Sequence, residues 1–193
     1  MSSQIRLEKA TTKTDEGHPR LSFMNTSWYL KNQTGVEISE THEIAPESIV
    51  SVDVETDEAD NFVCASVYNG VGAVGYWDKI DEYLADILTS CQLIGHNLKS
   101  DLHWLRKWGI NVTKENLFYD TMIASYCQNS IRESHGLKAC ATELLGLKWP
   151  SYKDIVGIGH GKETLDKQPK ETVMNYNCFD TYATFQLYRR FNS

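Results

Sequence analysis

Two carboxylates stand two residues apart in the apolar run at positions 50–56, whose sequence is VSVDVET. Successive side chains of a β-strand point to opposite faces, so Asp53 and Glu55 would share one face while Val52 and Val54 occupy the other. A strand with a buried character rarely carries charge, because an ionised carboxylate away from water is costly without a compensating partner. Since hard divalent ions prefer carboxylate oxygens, the pattern predicts a metal site that begins on this strand.

Two later segments offer acids at helical spacing. Asn97 and Asp101 are four residues apart, and so are Tyr176 and Asp180. Residues four apart lie on the same face of a helix, so each pair would present an acid beside a polar partner. We therefore expect two further elements to complete the metal site.

Hydrophobic periodicity predicts the elements that must position these residues. The predicted strands are 50–56, Phe62–Tyr68, 71–77 and Gln92–Gly95, and the predicted helices are 78–90, 98–109, 120–128, Leu137–Leu145 and Lys170–Phe191. Asn69-Gly70 predicts a tight hairpin turn, and Asp78 and Asp120 are predicted N-caps. Strands followed by alternating helices and strands are typical of an α/β domain with a mixed sheet.

The length and composition favour one globular domain. The chain has 193 residues, of which 41% are hydrophobic, enough for a substantial core. Residues 1–46 are polar and rich in serine and threonine, and we interpret them as a partly flexible N-terminal extension. The predicted domain covers residues 47–193.

Charge and cysteine usage exclude several classes of protein. The net charge of −7 disfavours a broad basic face for duplex DNA, although bound metal ions would let a nuclease hold a few nucleotides. The five cysteines form no C-x-x-C pair, which favours a reducing, cytoplasmic environment, with an organelle or a virus-infected cell left open. No apolar run approaches the roughly 18 residues of a membrane span.

In order and spacing, the three acidic segments resemble the three exonuclease motifs of the DEDDy 3′–5′ exonucleases. The motifs are DVET beginning at Asp53, NLKSD beginning at Asn97, and Tyr176-x-x-x-Asp180. The similarity is greatest to the proofreading domain of family A DNA polymerase I and covers roughly residues 49–190. It implies a ribonuclease H-like fold with a mixed sheet of about five strands flanked by helices. Ser100, Cys178 and Phe179 depart from the usual motif residues but leave the acids intact.

The resemblance also implies roles for individual residues around two divalent ions, Mg²⁺ or Mn²⁺. The expected metal ligands are Asp53, which bridges both ions, Glu55 and Asp180, which hold the ion beside the attacking water, and Asp101, which supports the second ion. Tyr176 would orient that water, Thr56 would contact the terminal nucleotide through its backbone, and Asn97 would either contact this nucleotide or order Asp101. Asp120 is expected to cap a helix rather than bind metal. Trp149 and Tyr152 are candidates for stacking on bases, with packing as the favoured interpretation of Trp149.

Three functions follow from this resemblance. The first is a proofreading-type exonuclease that hydrolyses single-stranded DNA 3′ ends to nucleoside 5′-monophosphates. The second is a ribonuclease D-like exoribonuclease, and the third is a catalytically silent module that binds nucleic acid. The chain stops just after the third motif, so it would be a stand-alone enzyme, a subunit beside a separate DNA polymerase, or an excised domain.

Overall fold

A mixed β-sheet forms the centre of the domain in the computed structural model, which describes residues 10–13, 19–22, 38–39, 44–157 and 164–193. Two short strands outside this sheet, β1 (Ala10–Lys13) and β2 (Pro19–Ser22), pair with each other. The sheet consists of a two-residue edge strand β3 (Ile38–Ser39) and five longer strands: β4 (Ile49–Thr56), β5 (Phe62–Tyr68), β6 (Ala73–Trp77), β7 (Gln92–Gly95) and β8 (Leu117–Asp120).

Strand β4, which carries the first two acids, lies inside the sheet. The strand order is β3-β6-β5-β4-β7-β8. Strands β4, β5 and β6 are antiparallel neighbours, whereas β7 and β8 add in parallel on the other side of β4. The parallel pairing of β4 with β7 covers only Ile49 to Ser51. The second half of β4 therefore has an open edge where β7 has ended.

Helices cover both faces of the sheet. They are α1 (Glu82–Ser90), α2 (Leu98–Lys107), α3 (Thr121–Gln128), α4 (Leu137–Leu145), α5 (Tyr152–Val156) and α6 (Lys170–Phe191). Leu84 of α1 and Leu105 of α2 share one apolar core with Val52. Phe179 of α6 and Cys140 of α4 belong to a second core. Because side chains alternate along β4, residues on its two faces enter different cores.

Several predicted bounds are confirmed. Helices α4 and α6 have the predicted ends, and Asp120 is the N-cap of α3. Gly146 ends α4 at φ +70°, in the left-handed region that favours glycine.

The prediction of a two-residue turn between β5 and β6 is wrong. Tyr68 pairs with Ala73, so the loop contains the four residues from Asn69 to Gly72. The Asn69 side chain accepts hydrogen bonds from the amides of Val71 and Gly72. This Asx-type turn stabilises the longer loop and leaves Val71 73% exposed rather than in the strand.

The predicted start of α1 is also wrong. Asp78 lies in the turn after β6 at φ +65°, and its amide donates back to the carbonyl of Val63 in β5 at 3.0 Å. Asp81 is the N-cap instead, and its carboxylate accepts a hydrogen bond from the Leu84 amide at 2.8 Å. The apolar spacing predicted the helix but not the residue at which it begins.

Four short elements in the described part of residues 47–193 lie outside the predicted strands and helices. They are β8, α5 and the 3₁₀ turns Lys114–Asn116 and Leu165–Lys167. The aromatic run 21–30, which is expected either to form one strand or to lie on the domain, falls mostly outside the described residues. Among the helices of the described segments, none has the length and apolar character needed to cross a membrane.

Candidate active site

Asp53 and Glu55 lie on the same face of β4, as their spacing predicts. Val52 and Val54 belong to the core beneath α1 and α2, so the two acids face the opposite helix layer. Strand β5 supports both positions, since Asp53 is opposite Ser66 in the register of the sheet. The sheet thus holds the two carboxylates on a rigid element.

Helix α6 brings Asp180 against β4. The Ser51 hydroxyl donates to the carbonyl of Thr181 at 2.7 Å, which joins the strand to the helix next to Asp180. Ligand atoms of Asp53, Glu55 and Asp180 all lie within 4.8 Å of one another. We call these three residues the acid cluster, and three oxygen donors at this spacing suit a hard divalent cation.

Asp101 reaches the site by a different route. It lies in the first turn of α2, is 6% exposed, and its Oδ1 accepts a hydrogen bond from the Val54 amide at 3.2 Å. This bond occupies the open edge of β4, beyond the point where β7 stops pairing. Asp101 therefore lies beside the acid cluster and outside the tightest group of three.

The acids perturb one another strongly. Burial raises the pKa of Asp53 well above its usual range, and the neighbouring Glu55, Asp101 and Asp180 charges raise it further. The pKa of Glu55 rises to about 8, with burial as the first cause and repulsion by Asp180 and Asp101 next. These shifts follow from placing several carboxylates together away from water. A bound divalent cation would lower these pKa values again.

The pKa values of the other two acids, Asp101 and Asp180, are also raised. Burial raises the pKa of Asp101 to about 7, against the opposing hydrogen bond from Val54. Burial also raises the pKa of Asp180, although the Lys138 ammonium and three hydrogen bonds lower it. Asp180 is therefore the member of the acid cluster with several donors of its own.

Two donors of Asp180 were not identified from the sequence. The Lys138 ammonium and the Trp149 indole Nε1 both bond to Oδ1 of Asp180, at 2.9 and 2.6 Å. The Tyr176 hydroxyl donates to the same carboxylate. Burial raises the pKa of Tyr176, which keeps this hydroxyl protonated as a donor. No local pattern marks Lys138, since its neighbours follow an ordinary helical spacing.

Trp149 packs inside the domain rather than presenting its ring to bases. It is 9% exposed and stacks on Phe179 with ring centroids 4.7 Å apart. Packing, the favoured interpretation of this residue, is confirmed. Tyr152 is 37% exposed and stays a candidate for stacking.

Asp120 supports the motif that contains Asp101. Its carboxylate bonds to the first amides of α3 and also to the amides of Asn97 and Leu98, at 3.1 and 2.8 Å. One side chain thus caps two helices. The capping role of Asp120 in α3 was predicted, but its second role required the tertiary structure.

The two predicted substrate contacts lie at the edges of the site. Thr56 ends β4 at an irregularity in its pairing with β5. Asn97 is exposed, has φ +67° and makes no capping bond with its side chain. Both roles stay predictions.

Comparison with known proteins identifies the family. A family model described as a 3′–5′ exonuclease, of the type found in family A DNA polymerases, matches residues 28–193. The chain belongs to this 3′–5′ exonuclease family. Members of this family are metal-dependent, in agreement with the acid cluster. The predicted domain start at residue 47 lies inside the matched range and stays a prediction.

Curated relatives of this exonuclease domain are DNA polymerases. DNA polymerase I of Pseudomonas aeruginosa is 27% identical over 142 residues, which cover 72% of this chain and 16% of the relative. DNA polymerase of Escherichia phage T5 is 32% identical over 125 residues, which cover 56% of this chain and 14% of the relative. The exonuclease domain thus spans a small part of the length of the curated relatives it matches.

Solved structures share the fold at low sequence identity. Brucella melitensis NrnC with bound Mg²⁺ has a TM-score of 0.60 and 18% identity, covering 80% of this chain and 78% of that chain. The catalytic core of RRP6 from Trypanosoma brucei has a TM-score of 0.54 and 12% identity, covering 95% and 59%. These similarities confirm the predicted ribonuclease H-like fold with its mixed sheet.

Proposed function

We propose that this domain hydrolyses single-stranded DNA from the 3′ end and releases nucleoside 5′-monophosphates. The observation that carries the proposal is the acid cluster, in which oxygens from β4 and α6 lie within 4.8 Å of one another. The family match and the curated DNA polymerases support the choice of DNA.

The donor set fits two hard divalent ions, Mg²⁺ or Mn²⁺. Asp53, Glu55 and Asp180 would hold one ion, with Asp53 shared and Asp101 supporting the second. Raised pKa values of these buried carboxylates are the expected property of a site whose compensating charge comes from bound cations. When bound, the ions would stabilise charge on the scissile phosphate and favour ionisation of a water molecule.

Residues of the chain supply orientation. Tyr176 has a protonated hydroxyl beside Asp180 and would donate a hydrogen bond to a water molecule bound against this carboxylate. Glu55 would accept a hydrogen bond from the same water. Thr56 and Asn97 would contact the terminal nucleotide, and Tyr152 would stack on a base, an interaction worth about 1–3 kcal/mol.

An exoribonuclease is the second candidate. One of the similar structures is Brucella melitensis NrnC bound to pGG, and another is the catalytic core of RRP6. The curated relatives are DNA polymerases, so action together with a DNA polymerase is part of the proposal for DNA.

The decisive experiment compares 5′-labelled single-stranded DNA and RNA of the same sequence. With Mn²⁺ or Mg²⁺, we expect a ladder of DNA products shortened from the 3′ end and no cleavage with a chelator. Faster cleavage of RNA would favour the second candidate.

Two acid variants test the assignment of the site. Asp53→Asn should remove essentially all cleavage, whereas Asp60→Asn should retain it, because Asp60 pairs with Lys107 at the surface. If the wild type binds the oligomer but cleaves neither polymer, or if Asp53→Asn cleaves normally, the proposed function is wrong.

A further inference from the structure

Lys138 is a cation placed directly on the acid cluster. It is the second residue of α4, its side chain is 29% exposed, and its Nζ lies 2.9 Å from Oδ1 of Asp180, whose side chain is 7% exposed. Lys138 lowers the pKa of Asp53, Glu55 and Asp180. Its charge therefore acts on the whole cluster rather than on one partner.

Two aromatic rings hold the ammonium in this position. The Nζ of Lys138 lies 4.3 Å from the ring centroid of Trp149 and 4.4 Å from that of Tyr176. Both rings attract a cation through their faces. The same Oδ1 of Asp180 also accepts the shorter bond from Trp149, so Asp180 keeps a donor when the ammonium moves.

The ion pair between Lys138 and Asp180 becomes weaker once a divalent cation binds the acid cluster. A cation shared by Asp53, Glu55 and Asp180 brings two positive charges close to the Lys138 ammonium, and repulsion at such distances is strong where water is limited. The ammonium then needs another anion. A nucleic acid that enters the site supplies one in the form of its backbone phosphates.

We propose that Lys138 neutralises the acid cluster in the metal-free protein and transfers to a substrate phosphate when the metal ions and a nucleic acid bind. This inference rests on the proposed function and adds a phosphate-binding residue to it. Lys138 would thus lower the affinity of the free protein for metal and raise its affinity for nucleic acid.

The opposite effects of Lys138 on the affinities for metal and for nucleic acid can be tested with one variant. The variant is Lys138→Met, which keeps the approximate length of the side chain but removes its charge. The matched control is Lys114→Met, because the Lys114 side chain is 88% exposed. Thermal unfolding checks that both variants fold. Without nucleic acid, Lys138→Met should bind Mn²⁺ about five times more tightly, because a competing cation is lost, and Lys114→Met should bind it as the wild type does.

The second arm measures binding of a 5′-labelled thymidine oligomer in Ca²⁺, with the oligomer recovered intact. Lys138→Met should bind it about ten times more weakly, and the slope of log affinity against log salt should become shallower by about 0.7, the value for one lost phosphate contact on a single strand. Lys138→Arg should keep the affinity for the oligomer and the salt slope near the wild-type values, since arginine keeps the charge.

The outcomes separate this inference from the proposed function. If Lys138→Met leaves the salt slope unchanged while the wild type cleaves DNA, Lys138 does not bind a backbone phosphate, and the inference is wrong. Weaker Mn²⁺ binding by Lys138→Met would also overturn it. If the wild type cleaves no nucleic acid, the proposed function fails, together with the phosphate-binding role of Lys138.

Discussion

The Asn177 side-chain amide donates to Oδ2 of Asp53 at 2.6 Å and so joins α6 to β4 inside the site. Asn177 is 0% exposed, and its Oδ1 has no partner among the described residues. A buried polar atom without a partner costs about 1–3 kcal/mol. An apolar residue would therefore serve stability better, and we infer that Asn177 serves the orientation of Asp53.

Replacing Asn177 by leucine should separate activity from stability. Asn177→Leu removes the unpaired oxygen but also the donor to Asp53, and because these two effects oppose each other the free energy of unfolding should change by less than about 1 kcal/mol. Cleavage under single-turnover conditions should fall by about 10–100-fold, as expected when a residue that orients a metal ligand is lost.

Asn175 provides the matched control for this variant. It is also buried, has an unpaired Oδ1, and donates only to the carbonyl of Glu171 in its own helix. Asn175→Leu should keep activity near that of the wild type. Parallel losses of activity in both variants would argue against a specific role for Asn177.

The Trp149 indole tests how much the orientation of Asp180 contributes. Trp149→Phe keeps stacking on Phe179 but removes the 2.6 Å bond from Nε1 to Asp180. We expect kcat to fall about tenfold or more with a change in stability below about 2 kcal/mol. Trp108→Phe is the control, because its Nε1 bonds to the Asp60 carbonyl outside the cluster. Equal kcat values for the two variants would contradict the assigned role.

The double cap made by Asp120 predicts an unusually costly single substitution. Asp120→Ala removes bonds to the first turns of both α2 and α3 and should cost about 2 kcal/mol, whereas Asp81→Ala removes one cap and should cost about 1 kcal/mol. Denaturation in urea measures both. Activity should fall only for Asp120→Ala, because the start of α2 carries Asp101. Equal effects of the two variants on activity would show that the cap of α2 does not support the site.

The raised pKa values predict how metal-free stability depends on pH. Glu55 has a usual pKa of 4.5 and reaches about 8 in the folded domain, while Asp101 goes from 3.8 to about 7. At pH values between the unfolded-state and folded-state pKa values, the native state binds more protons than the unfolded state. The contribution of these two acids to the free energy of unfolding is therefore fully present below about pH 4 and is lost as the pH rises through about 7–8.

Thermal unfolding from pH 4 to 9 with a chelator checks this direction. The melting temperature should fall with rising pH, Mg²⁺ should raise it most at high pH, and Glu55→Gln should flatten the profile. A melting temperature that rises steadily over this range would show that the acids are not buried together without metal.

Local patterns were sufficient for much of the fold. Alternation along β4 predicted that Asp53 and Glu55 share a face, and Asp120 was predicted to cap a helix, because these features depend on neighbouring residues. Edge strand β8 was missed because its Leu117 and Phe118 are exposed and lack the alternation of a half-buried strand. The five-residue α5 is too short for a periodic signal.

The sequence by itself determined the chemical nature of the site, since the types and spacing of Asp53, Glu55, Asp101 and Asp180 predict acids on shared faces of three elements. Only the tertiary structure decided what surrounds them. The contacts of Trp149 and Lys138 with Asp180 span 31 and 42 positions, and that of Asn177 with Asp53 spans 124. No local periodicity encodes such pairs, because they form only where the sheet and the helices that cover it pack together.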